Sequence, residues 1–145
     1  MLTSLKAATF EVLETMFFIF PESLEETADL FHGPGLRAWV PVEGPKNFRV
    51  GLTVPLPLAR EMAANFLGVE KDEVPPDSLE DVLKETANMV AGAFLTQERV
   101  PETFQLQPPQ ALRLNLDDQN WQENSHHLLL AVEDAGLEVF LEKTK

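Results

Sequence analysis

Apolar side chains recur at three- and four-residue steps from the start of the chain. Leu5, Ala8, Val12, Met16 and Ile19 form one stripe, which predicts a helix over residues 2–20 stopped by Pro21. The period then drops to two. Residues 36–42 and 48–54 alternate apolar with other side chains around Glu43-Gly44-Pro45-Lys46, and predict a hairpin with Phe48, Val50, Leu52 and Val54 facing the core. A short helix over LAREMAANFL follows, opened by Pro57 and closed by Gly68. From Leu79 to about Gln97 the helical period returns, with Leu79, Val82, Leu83, Thr86, Val90, Ala93 and Phe94 on one face. Asp77 and Glu80 stand at capping-box spacing before it. Beyond the prolines at 101, 108 and 109, ALRLNL predicts a strand and DDQNWQENS a polar loop. HHLLLAVED and LEVFLEK then predict a terminal hairpin turning near residues 134–136. Helices around antiparallel hairpins, with no regular β-α-β alternation, imply an α+β fold: one antiparallel sheet with two long helices and a short helix packed on one face. No linker or low-complexity tract interrupts residues 1–145, so a single domain is expected.

Composition narrows the function. Eleven Lys and Arg stand against 24 Asp and Glu, a net charge of −13, and the basic residues are scattered singly. Such a chain repels phosphate backbones and anionic bilayers, so nucleic acid and membrane surfaces are not its expected partners. No apolar run reaches the roughly 18 residues of a membrane helix, and the N-terminus lacks a cleavable leader pattern, so a cytoplasmic protein is expected. Cysteine is absent, which removes disulfides, thiolate nucleophiles and cysteine-ligated metals.

Candidate chemistry concentrates on the helix over 79–97. At about 100° per residue, Asp81, Glu85, Asn88 and Gly92 fall opposite its core face. Glu85 and Asn88, three apart, are neighbours there, and Gly92 leaves a bare patch one turn on, where another backbone could approach. Spacing alone says little: with 17 Glu and 6 Asn, one Glu-x-x-Asn is about what random order supplies. His126 and His127 are adjacent at a strand start and point to opposite faces, so they do not converge on a metal ion. No Ser-His-Asp arrangement, Gly-x-Gly-x-x-Gly or P-loop motif is present. Phe10, Phe17 and Phe18 lie off the first helix's stripe; either that helix is buried on more than one side, or an aromatic patch is exposed to a partner. There is also a weak internal echo: VLETMFF (12–18) aligns with LKETANM (83–89), placing Phe17 where the second copy has Asn88.

RVGLTVPLPLAREMAANFLG, an acidic proline-containing spacer, and SLEDVLKETANMVAGAF together resemble the CheC/CheX family of chemotaxis phosphatases, most closely its CheX-like branch. The resemblance covers roughly residues 48–110. It rests on Glu85, Asn88, Gly92 and Pro108 or Pro109 in the family's order. It implies a phosphatase acting on the aspartyl phosphate of a CheY-like response-regulator receiver domain, in chemotaxis or related two-component signalling. Asn88 would position the in-line water and Glu85 would pair with the receiver's lysine, while Asp81 and Gly92 are candidate partner contacts. It further implies no cofactor in this chain, Mg²⁺ in the partner receiver, and a homodimer paired through the sheets, for which the edge of the terminal hairpin is available. Phe17 in place of Asn implies that the first helix, with Glu14, is an inactive copy. The AFLTQ after Gly92 departs from the basic residue expected there. A non-catalytic receiver-binding adaptor of the same fold is the alternative function.

Overall fold

The structure is a computed structural model and describes residues 2–23, 28–98 and 103–144; Pro101 lies outside them. Its first helix is shorter than its apolar stripe predicts. α1 (Leu2–Met16) ends five residues before Pro21. The backbone N–H groups of Phe17 and Ile19 both donate to the Leu13 carbonyl, at 3.2 and 3.0 Å. Phe18, between them, adopts a left-handed φ of 56°, a conformation that costs an L-residue about 1–2 kcal/mol. The turn swings Phe17 into the core, where its ring is fully buried and stacks on Phe66 at 5.4 Å. Burying that aromatic side chain, worth roughly 1.5–3 kcal/mol, stops the helix before proline can.

The strands are β1 (Pro34–Glu43), β2 (Phe48–Pro55), β3 (Gln105–Leu106), β4 (Gln110–Asn115), β5 (His127–Val132) and β6 (Ala135–Lys143). They form one antiparallel sheet in the order β3-β1-β2-β6-β5, with β4 also paired to β1. Pro108 and Pro109 have no N–H to give a ladder and separate the collinear β3 and β4. Leu36, Ala38, Val40 and Val42 of β1, Val50, Leu52 and Val54 of β2, and Leu137, Val139 and Leu141 of β6 are buried in one core with the helices. The alternate positions belong to the sheet's other face.

α2 (Leu56–Leu67) has Pro57 in its first turn and closes at Gly68, φ 72°, where the N–H groups of Gly68 and Val69 both return to the Ala64 carbonyl. This is the predicted glycine cap. α3 (Ser78–Glu98) follows. The predicted capping box at its start does not form, because Glu80 instead accepts from Arg113 Nε of β4 at 3.0 Å. α3 rests on β1 and β2, and α1 lies beside it over β6. The Ser4 hydroxyl donates to the Glu98 carboxylate, so the start of α1 meets the end of α3; because α1 packs along α3, the two run antiparallel, and Gln97 Nε2 also donates to Glu11 Oε2 (3.4 Å). The terminal hairpin turns on Glu133-Asp134, just ahead of the predicted position. Gly136 instead lies inside β6, where a Cβ would stand 2.5 Å from the Phe31 ring.

Candidate functional site

The seat of the site is the inward face of α3. Leu79, Val82, Leu83, Thr86, Ala87, Val90, Ala91 and Phe94 are buried, and the Thr86 hydroxyl donates to the Val82 carbonyl at 2.8 Å instead of reaching outward. The face is broader on one side than the stripe predicts: Ala87 and Ala91 are fully buried, whereas Ala93 is half-buried. The reason is α1, which packs along that flank. A helix covered by sheet on one side and by another helix on a second buries more than one stripe.

The outward face carries the four residues the sequence singles out. Asp81 and Glu85 are exposed. Asn88 is half-buried, next to the flank on which Ala87 and Ala91 are fully buried. Gly92, also half-buried, has no atom within 4 Å of where a Cβ would stand. Helical geometry sets Glu85 and Asn88 side by side. Among the described residues, neither side chain is held by a hydrogen bond or an ion pair. One carboxylate and one carboxamide thus stand unengaged on a rigid helix beside a bare backbone patch. Such an arrangement can pair with a cation and order a water molecule, since an amide both donates and accepts without titrating.

The first copy of the echo does not reproduce this arrangement. Glu14 is half-buried near the end of α1, and Phe17 has left the helix for the core. The aromatic ambiguity of that segment divides: Phe17 is buried and Phe10 half-buried, whereas Phe18 is 71% exposed.

A second polar cluster, not evident from sequence spacing, lies on the sheet face away from the helices. His127 sits between two carboxylates, Nδ1 2.8 Å from Glu138 Oε2 and Nε2 2.9 Å from Glu142 Oε2. Arg49 binds Glu142 at 2.6 Å, and Arg37 donates to Thr53, which donates to the buried Glu138. Burial raises the pKa of Glu142, but the hydrogen bond and charge of Arg49, with the charge of His127, outweigh it and hold the carboxyl below its ordinary value of 4.5. Strand alternation and antiparallel register create this cluster from residues 37 to 142. His126 is exposed and outside it. These groups satisfy one another, and among the described residues no three acidic or histidine side chains form a metal-binding group.

A family model described as chemotaxis phosphatase CheX matches residues 37–132. Among solved structures, a chemotaxis protein CheX from Desulfovibrio desulfuricans superposes with a TM-score of 0.74 at 18% identity, covering 98% of this chain and 97% of that one. The CheX–CheY–BeF3–Mg complex from Borrelia burgdorferi gives 0.73 at 16%, covering 99% and 97%. CheX from Vibrio vulnificus gives 0.72 at 16%, covering 97% of each. At these identities the likeness is one of fold. No curated protein matches the chain in sequence.

Proposed function

Because the chain belongs to the CheX family of chemotaxis phosphatases, we propose that it hydrolyses the aspartyl phosphate of a CheY-like receiver domain, with Glu85 and Asn88 as the working pair. The observation that carries this reading is their unengaged, adjacent placement on the outer face of α3, next to the open space over Gly92. The Borrelia structure pairs a protein of this fold with CheY, and this supports a receiver as partner.

In the proposed reaction the receiver brings the acyl phosphate and a lysine. Mg²⁺ is assigned to the receiver, where it would neutralise the phosphoryl oxygens; the carboxylate and carboxamide of this chain serve other roles. Asn88 accepts a hydrogen bond from water through its carbonyl oxygen and holds it in line with the bond to be broken. A bond forms from the water oxygen to phosphorus, and the bond from phosphorus to the aspartyl oxygen breaks. The aspartate leaves as carboxylate and the water's proton departs with inorganic phosphate. Glu85 binds the receiver's lysine, fixes the register and draws that cation from the phosphoryl group, a charge-assisted contact of about 1.5–3 kcal/mol. Positioning suffices because this transition state needs little covalent help.

The test is a screen of the host's phosphorylated receivers, with Mg²⁺, for accelerated phosphate release. Acceleration by the wild type and its loss in N88A support the reading. Receiver binding without acceleration would instead identify the adaptor.

A further inference from the structure

Eight large apolar side chains are exposed among the described residues, and six lie on two neighbouring segments: Met16 at the end of α1 with Phe18 and Phe20 beyond it, and Phe66 and Leu67 at the end of α2 with Val69 beyond it. Phe17 stacking on Phe66 and Asn65 Nδ2 donating to the Phe17 carbonyl at 2.8 Å join the two segments. Phe18 and Phe20 are 71% and 67% exposed. Exposed apolar side chains gathered on two adjoining segments mark an interaction surface. Phe18 reaches solvent from a left-handed backbone position that disfavours a bulky residue.

Continuity with the Glu85–Asn88 face identifies the occupant. Ser4 reaches Glu98 at the end of α3 and α1 packs along α3 from there, which makes the two helices antiparallel. Phe18, about fourteen residues beyond Ser4, therefore lies about as far back along α3 from Glu98, level with Glu85 and Asn88. Two polar side chains cannot supply the roughly 800 Å² per partner of a stable protein interface. Aromatic side chains beside them supply the anchors that dominate binding energy.

We infer that the Phe18, Phe20, Phe66 and Leu67 patch docks the receiver domain, seating an apolar surface next to its acyl phosphate while Asn88 meets the reacting water. This inference rests on the receiver reading of Glu85 and Asn88. Binding and chemistry are then divided between two adjoining surfaces. The patch supplies most of the affinity for the receiver, Asn88 sets the rate, and Glu85 contributes to both.

The experiment compares F18N, L67S and N88A against the receiver that the wild-type chain dephosphorylates, over a range of receiver concentrations. Asn tolerates left-handed backbone, so F18N removes the ring without removing the turn; circular dichroism and melting follow the fold. Expected is a rise in KM of about tenfold or more for F18N, with kcat unchanged. L67S should shift KM in the same direction, and N88A should lower kcat at constant KM. Unchanged KM in folded F18N and L67S would overturn the docking surface and leave the function standing. Loss of self-association in F18N, read by light scattering, would place a second copy on the patch and also overturn it. A wild-type chain that accelerates no receiver would overturn both readings.

Discussion

Asn88 and Glu85 differ in what their removal should do. N88A removes a half-buried amide that holds no described partner, and Ala favours a helix, so stability should be unchanged or slightly raised. Dephosphorylation should fall about 10²–10³-fold, the scale of one preorganised transition-state contact, with receiver binding nearly intact. E85A should weaken binding and turnover together. E14A is the control: without an Asn three residues on, it should do little. Away from α3, Glu142 supplies a pH prediction. Its carboxyl titrates lower in the folded chain than in the unfolded one, so its stabilisation is complete above the unfolded value near 4.5 and is lost as pH falls through the folded value. E142Q should therefore be less stable than wild type at pH 7, with the gap in urea midpoints closing as pH falls below 4.5.

Among the elements, glycines discriminate backbone from space. Gly68 and Gly92 both leave room for a Cβ, but Gly68 has a φ of 72° whereas Gly92 lies within regular helix. G68A should cost about 1 kcal/mol through strain alone. G92A should gain roughly 0.5–1 kcal/mol and yet weaken receiver binding, since its new methyl stands where a partner would approach. A rise in Tm with a rise in KM would verify both halves. At α1 the buried positions Leu5, Ala8, Val12 and Ile19 were legible, but Met16 is exposed and the end of the helix was not legible. Met16 and Ile19 carry the period across a break made by Phe17 packing on Phe66, nearly fifty residues away in sequence. F17A should cost about 3–5 kcal/mol, measurable by denaturant unfolding.

For the whole molecule, the expected pairing through the terminal hairpin meets a closed edge. The N–H and C=O groups of His127 bond Asn124, the Leu129 N–H bonds Glu123, and Ala131 exchanges two backbone bonds with Glu22. β5 is thus covered, as exposed edges usually are. On the other edge, formed by β3 and β4, no further strand is paired among the described residues, and Leu106 of β3 and Leu112 of β4 are exposed. We propose that two copies associate there. Light scattering should give twice the 16.2 kDa of one chain, and L112K should give the monomer; a wild-type monomer at micromolar concentration would count against it.

Periodicity by itself determined the α+β class, the core strands and the outward face of α3, because side-chain direction follows from 3.6- and 2-residue repeats whatever lies beyond. It likewise placed Glu85 beside Asn88 and put Gly68 at a helix end. The ordered motif, not the spacing, singled that pair out as the candidate site. Long-range packing decided the rest: the early stop of α1, the burial of Ala87 and Ala91, the transfer of Glu80 from a cap to Arg113, and the assembly of His127 with Glu138 and Glu142. Each depends on which element lies alongside. Burial energy at a distant contact exceeds the fraction of a kcal/mol by which local propensities differ, so only the tertiary structure could settle them.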